Sequence, residues 1–233
     1  MTYQTDGIQF TTLDRLPLDL DSVDAARIAM QTFAESEDIA KAQDELNAQA
    51  IATEFESFTL RNGRLMVGIV PKRFLVQRIC TEIDAVGRQL TRYVSDIAQR
   101  NLRLYRSSLW VTLVPPTHLR RIMSQKWHRD PYEVSAKHSL KLFWYLSDVD
   151  DGSGPFEYIR GSHEAEPPTG PGAEDRYISP ALNGTLKRSP DRLVCTGPAD
   201  TVIIANTSGV HRGGYCASRR RLSATLVYTD APC

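Results

Sequence analysis

The sequence predicts an α+β protein with a mainly β core, buttressed by helices from the first part of the chain. Two observations support this prediction. Helical patterns are confined to residues before Arg100, whereas short β-prone runs separated by turn residues occupy the remainder. The 233 residues are enough to bury one sizeable core. We therefore expect a single domain, 1–233, with a mostly helical buttress over 1–104 and a β core over 105–229.

Two segments carry the helical signal. Residues 22–50 are rich in Ala, Glu, Asp and Gln and contain few helix breakers. Residues 71–100 begin with Pro71, which suits a first helical turn, and place an apolar side chain at every third or fourth position. The stripe consists of Ile79, Ile83, Val86, Leu90, Tyr93 and Ile97. It predicts a packing helix rather than a cofactor site.

The β half contains many short strand-like runs at close spacing, which is typical of a sandwich or barrel. The runs are 107–114, 121–128, 139–146, 155–159, 192–195, 200–206 and 221–228. Glycine, proline and aspartate separate them. The proline- and glycine-rich range 164–190 predicts a long surface loop that serves as a lid or a binding loop.

The composition argues against nucleic-acid and membrane partners. Lysine plus arginine equals aspartate plus glutamate, at 28 each, so no overall charge draws the chain to nucleic acid or to an anionic membrane. No apolar run is long enough to span a bilayer, and the first residues do not resemble a signal peptide. The four cysteines are scattered without a CxxC pair. We expect a reduced cytoplasmic protein with free thiols and a small-molecule substrate.

The segment KWHRDP, residues 126–131, raises the possibility of a metal site. In an extended segment the side chains of His128 and Asp130 leave the same face. A third ligand is available in His211, which follows the apolar run TVIIAN. Two histidines and one carboxylate with open positions suit non-haem Fe(II) that must bind substrate and oxygen. The helical HExxH spacing of many zinc enzymes is absent.

Other residues near these motifs have simpler interpretations. His118 is expected in a loop, His138 on the surface, and His163 in a turn where a structural hydrogen bond is favoured over ligation. Cys216 is expected to be a small packing residue. Trp127 points away from His128 in an extended segment and is expected in the core.

A guanidinium and a hydroxyl lie two residues apart shortly after His211. In a strand Arg221 and Ser223 share a face, and an arginine fork can hold both oxygens of a carboxylate. A dicarboxylate whose 2-oxo acid end chelates iron and whose far end reaches this pair is 2-oxoglutarate. Arg219 and Arg220 precede the strand and fit solvated positions better.

The run SLKLFWYL, residues 139–146, has two distinct faces. Leu140, Leu142, Trp144 and Leu146 form one face, which is expected in the core. The other face carries Lys141, Phe143 and Tyr145 and is a candidate pocket lining. Lys141 and Tyr145 are candidates for binding the cosubstrate or the substrate. Plain packing is an equal alternative, because barrel interiors must be filled.

Four motifs together resemble the phytanoyl-CoA dioxygenase-like group of Fe(II)/2-oxoglutarate oxygenases. They are HRD (128–130), GPFEYIRGSH (154–163), HRGG (211–214) and RLS (221–223). The resemblance covers roughly residues 105–229 and implies a double-stranded β-helix, the cupin-like jelly roll. It further implies that His128, Asp130 and His211 bind iron and that Arg221 holds the cosubstrate.

The resemblance implies a dioxygenase that converts 2-oxoglutarate and O2 to succinate and CO2 while oxidising a small molecule. Hydroxylation is favoured, since related halogenases lack the carboxylate that Asp130 provides. Two alternatives stay open: a cupin-like metal protein that does not use 2-oxoglutarate, and a catalytically silent jelly-roll binding domain. The protein is expected to be a monomer or a homodimer.

Overall fold

The computed structural model describes residues 2–47, 66–68, 74–116, 123–130, 140–165 and 177–231. Within these ranges the α-helices are α1 Tyr3–Asp6, α2 Leu20–Ala34, α3 Glu37–Asn47, α4 Phe74–Gln89, α5 Thr91–Ala98 and α6 Asn183–Arg188. The strands are β1 Ile8–Thr12, β2 Met66–Gly68, β3 Leu102–Thr112, β4 Leu140–Tyr145, β5 Phe156–Ile159, β6 Arg192–Cys195, β7 Thr201–Asn206, β8 His211–Gly213 and β9 Arg221–Asp230.

The strands form two antiparallel sheets in a jelly roll. The larger sheet has six strands in the order β1-β7-β4-β9-β3-β2, and the smaller has three in the order β6-β5-β8. The structure therefore confirms the predicted fold class, α+β with a mainly β core. No helix in the described part of the chain combines the length and apolar character needed to cross a bilayer.

Two apolar clusters hold these layers together. The first packs the helices on the large sheet and includes Met30, Val86, Trp144 and Leu226. The second joins the two sheets and includes Tyr145, Phe156, Tyr158 and Ile203. Strand β7 contributes to both clusters, and all six of its residues are buried. This explains its continuous apolar run, since a strand covered on both faces needs no polar side.

The helical range 71–100 contains two helices rather than one. Helix α4 ends at Gln89 and α5 begins at Thr91, with Leu90 between them. The apolar stripe continues across the break, because Ile83, Val86 and Leu90 are fully buried. Its packing role is confirmed for these described side chains, whereas residues 71–73 and the side chain of Ile79 lie outside the description.

The part of the chain that was predicted to be mostly helical also supplies two strands. Strands β1 and β2 come from the first part of the chain and extend the large sheet at its two edges, where β1 pairs with β7 and β2 with β3. Both are short, and β1 mixes polar with apolar residues, so neither gave a periodic signal. Cross-strand pairing, rather than local propensity, determines these strands.

Two other predicted segments also differ from the structure. In 121–128, Met123–Gln125 form a 3-10 turn and His128 makes isolated bridges, whereas 121–122 lie outside the described residues. The described part of this run therefore forms no strand ladder. In 164–190, residues 166–176 lie outside the description, and the remainder holds a 3-10 turn at Pro180–Leu182 and helix α6. That described part is helical rather than a simple loop.

Candidate active site

His128 and His211 lie side by side because their backbones are paired across a bridge. The amide of each donates to the carbonyl of the other at 2.9 Å. The amide of Asp130 donates to the Thr207 carbonyl at 2.8 Å, which fixes the carboxylate next to the same strand connection. The imidazole centroids of the two histidines are 4.3 Å apart. Residues from distant parts of the chain therefore meet at one point.

The side chains of these three residues form a compact donor set. Asp130 Oδ1 is 3.7 Å from His128 Nε2, and Asp130 Oδ2 is 3.5 Å from His211 Nε2. One ligand atom from each residue falls within 4.8 Å of the others. The Nδ1 atoms of His128 and His211 bond to the carbonyls of Lys126 and Gly209, which leaves both Nε2 atoms directed at Asp130. Such outer bonds are those that orient histidine ligands in metal sites.

Burial and neighbouring charge keep this donor set ready to bind a cation. Burial, reinforced by His211, lowers the pKa of His128 to about 3. Burial also lowers the pKa of His211, although Asp130 opposes the shift. Burial disfavours ionisation of Asp130, but the charge and hydrogen bond of Lys141 are the main influences that outweigh it and hold the pKa of that carboxyl well below its usual range. At neutral pH the imidazoles are unprotonated and the carboxyl is ionised, which are the states that metal binding requires.

A cavity of roughly 230 Å³ opens onto the triad. Its walls come from both sheets, with inward-facing positions at every second residue of β3, β4 and β9. It is lined by all seven candidate metal and cosubstrate residues of the sequence analysis and by the candidate lining residue Phe143. The seven are His128, Asp130, Lys141, Tyr145, His211, Arg221 and Ser223. The alternation of β4 and β9 puts the intervening apolar residues in the cluster under the helices. The structure thus brings the sequence-predicted residues together.

Arg221 is buried in the wall of this cavity with unused hydrogen-bonding capacity. It is 6 % exposed, and its Nη2 donates weakly to Thr112 Oγ1 at 3.4 Å. Its Nε and Nη1 have no acceptor among the residues that the structure describes. Ser223, also buried, lines the cavity on the same face of β9. A buried guanidinium edge without an acceptor fits an incoming carboxylate, since unpaired buried donors are costly.

The neighbouring arginines do not share this environment. Arg219 is largely exposed and faces Asp150 at 3.4 Å. Arg220 donates to the carbonyl of Ala34 at 3.0 Å. Neither lines the cavity, whereas Arg221 does.

Lys141 and Tyr145 have different surroundings within the cavity. Lys141 Nζ donates to Asp130 Oδ2 at 2.6 Å, so its nearest partner is the candidate metal carboxylate. The Tyr145 hydroxyl donates to the Cys195 carbonyl and accepts from the Phe156 amide, at 2.9 and 3.0 Å. Burial raises the pKa of Tyr145, with Arg221 acting in the opposite direction. These bonds hold the Tyr145 side chain in the wall of the cavity that Arg221 also lines.

The remaining chemistry-bearing residues lie apart from the triad. His163 Nε2 pairs with the Gln4 carbonyl at 3.3 Å, in line with a structural hydrogen bond. Cys216 is a buried free thiol beside the Ser153 carbonyl, and Trp127 is buried outside the cavity. His118 and His138 lie outside the described residues.

Three aromatic residues of the cavity were not singled out in the sequence. Trp110 lines the cavity from β3. The ring centroid of Phe156 is 4.5 Å from that of Phe143, with the rings tilted, and the ring centroid of Tyr177 is 6.0 Å from that of His128. The alternation of side chains along β3 could have predicted that Trp110 faces the cavity, because Trp110 shares a face with Arg106 and Ser108. Tyr177 had none, because it reaches the site through a bridge to His128 from a distant segment.

Sequence comparison finds no match, either to a protein-family model or to a curated protein. Comparison of structures does find similar chains. The epimerase SnoN, solved with Fe3+, alpha ketoglutarate and nogalamycin RO, matches with a TM-score of 0.64 at 17% identity, over 99% of this chain and 81% of SnoN. EctD from S. alaskensis, solved with 2-oxoglutarate and 5-hydroxyectoine, gives 0.62 at 19% identity, over 98% and 74% of the two chains. HygX from Streptomyces hygroscopicus, with nickel and 2-oxoglutarate, gives 0.55 at 14% identity, over 98% and 85%. At these identities the similarity shows that the fold is shared.

Proposed function

We propose that the protein is a non-haem Fe(II)/2-oxoglutarate-dependent dioxygenase that acts on a small molecule. The observation that carries this proposal is one cavity that holds a buried His-Asp-His donor set and, in its wall, a buried arginine with unpaired donors. The fold shared with SnoN, EctD and HygX supports it, because those proteins were solved with 2-oxoglutarate and, for SnoN and HygX, a metal.

In this proposal the residues have separate tasks. His128, Asp130 and His211 hold Fe(II), and Lys141 fixes the carboxylate of Asp130 by donating to its second oxygen. Arg221 and Ser223 receive the distal carboxylate of 2-oxoglutarate, with Tyr145 beside them in the wall. When bound, Fe(II) and 2-oxoglutarate supply the O2-activating chemistry that yields succinate and CO2. The aromatic walls exclude water and orient the substrate next to the metal.

Hydroxylation is the outcome that we propose, within a phytanoyl-CoA dioxygenase-like group. The presence of Asp130 supports it over halogenation, because the carboxylate fills the position that a halide would need. SnoN is an epimerase, and SnoK, another protein of similar structure, is a carbocyclase, so the shared fold also serves reactions other than hydroxylation. We further propose that the chain forms one domain in the cytoplasm and works as a monomer or homodimer. It has no nucleic-acid or membrane partner in this proposal, and part of 164–190 covers the cavity.

Addition of Fe(II) and 2-oxoglutarate under anaerobic conditions tests the proposal directly. We expect a weak visible charge-transfer band that needs both components, since the 2-oxo acid group must chelate the metal. Oxygen should then release succinate. A metal-binding protein without the band would favour the cupin-like alternative, and absence of metal binding would favour the silent binding domain.

Lys141→Met should destabilise the metal-free protein more than the metal-bound protein. Asp130 and Lys141 are both 13 % exposed, and removing one partner of such a pair leaves an uncompensated charge. We expect the metal-free protein to lose about 3 kcal/mol of unfolding free energy. Co(II) should restore much of that loss, because the dication replaces the ammonium. Urea unfolding with and without Co(II) measures both effects, with the surface variant Lys187→Met as control. An equal loss in the two conditions would contradict this role.

A further inference from the structure

Trp127 comes directly before His128, and Arg212 comes directly after His211. The side chains of Trp127 and Arg212 are in contact outside the cavity. Arg212 places its guanidinium carbon 4.3 Å from the centre of the Trp127 ring, a cation–π contact. Trp127 is 1 % exposed and Arg212 is 3 % exposed. Arg212 follows His211 in β8 and therefore points to the opposite face of that strand. Trp127 contacts it there, and neither residue lines the cavity that His128 and His211 line.

A buried carboxylate holds Arg212 in the stack. Glu157 is the cross-strand partner of Arg212, and it accepts from Arg212 Nη2 at 2.8 Å. Arg192 Nε donates to the same carboxylate at 2.8 Å from the other neighbouring strand. Glu157 is thus the centre of a row across β6, β5 and β8. The guanidinium of Arg212 therefore has a defined position against Trp127.

Stability alone does not account for this arrangement. Buried charge pairs are weak contributors to stability compared with apolar packing. In addition, Arg212 Nε and Trp127 Nε1 are buried without a hydrogen-bond partner in the described part of the chain, which is costly. Local violations of this kind are expected where function constrains the structure. Here the constrained segments are those that carry the two histidines.

We propose that the Trp127–Arg212 stack, held by Glu157, is a positioning device that sets the spacing of His128 and His211. The inference rests on the proposed metal site. The backbone bridge fixes the separation of the two strands but permits each to tilt about it. The stack joins the opposite face of the same two segments, so it removes that freedom and keeps both Nε2 atoms directed at one point.

Co(II) titration of Trp127→Leu and Arg212→Met tests this inference, followed by the visible absorption of the bound ion. We expect roughly 10-fold weaker binding or more in each, as for other residues that orient metal ligands, and an altered spectrum. Trp127→Phe keeps a ring for the guanidinium and should restore most of the affinity. The matched control is Arg192→Met, which removes the other arginine from Glu157 and leaves the stack in place.

The sign of the Arg212→Met effect distinguishes positioning from electrostatics. Loss of a nearby positive charge by itself would strengthen the binding of a dication, whereas loss of positioning weakens it. Wild-type affinity in Trp127→Leu, tighter binding in Arg212→Met, or an equal loss in Arg192→Met would each overturn the inference. So would losses that follow the unfolding free energy of the metal-free variants. If the wild-type protein binds no Co(II), the proposed metal site fails, and the positioning role fails with it.

Discussion

Asp130→Ala should abolish succinate release and weaken Co(II) or Fe(II) binding by on the order of 100-fold or more. Changes to residues that merely orient metal ligands already cost 10- to 100-fold, and Asp130 is the only carboxylate in the donor set among the described residues. The two histidines that remain would bind a cation without charge neutralisation. Metal titration and a succinate assay with excess 2-oxoglutarate measure the two losses separately.

A second substitution at Asp130 distinguishes loss of the metal ligand from loss of folding. Asp130→Ala leaves Lys141 buried without its partner, whereas Asp130→Asn keeps an oxygen that can accept from Lys141. Both variants should lose activity, but Asp130→Asn should unfold closer to the wild type. Asp24→Ala, at an exposed position of α2, is the control and should behave as the wild type. Unchanged metal affinity in Asp130→Asn would mean that the donor set is misassigned.

Arg221→Lys should raise the concentration of 2-oxoglutarate needed for half-maximal turnover, with little change in metal affinity measured without 2-oxoglutarate. Hydrogen bonds to charged groups contribute about 1.5–3 kcal/mol, which corresponds to roughly 10- to 100-fold in affinity. A lysine supplies the charge but cannot present two parallel donors to one carboxylate. Anaerobic titration of the charge-transfer band with 2-oxoglutarate measures the effect directly.

The neighbouring arginine supplies the control for this prediction. Arg219→Lys alters an exposed side chain outside the cavity and should leave the 2-oxoglutarate requirement unchanged. A raised requirement in Arg219→Lys together with a normal one in Arg221→Lys would move the cosubstrate contact to Arg219. A weaker affinity for the metal alone in Arg221→Lys would show that Arg221 supports the donor set instead.

Local periodicity determined which residues of single strands share a face. The Arg-x-Ser pair and the two faces of β4 follow from side-chain alternation, which is a property of the extended backbone. His128 and Asp130 also face one cavity, but they lie outside the strands, next to the isolated bridge of His128. The structure places all of these residues on the sides that the sequence predicts. The continuous apolar run of β7 likewise reflects a strand that is covered on both faces.

Only the tertiary structure decided which distant segments meet. The sequence gives no sign that Lys141 reaches Asp130, that Tyr177 pairs with His128, or that β1 completes the large sheet. The stack of Trp127 on Arg212 joins residues that both look ordinary in the sequence. Side-chain alternation operates within a few residues, whereas these contacts depend on how the chain crosses between sheets. The sequence therefore determined the chemistry that each strand presents, and the crossing of strands determined which side chains act together.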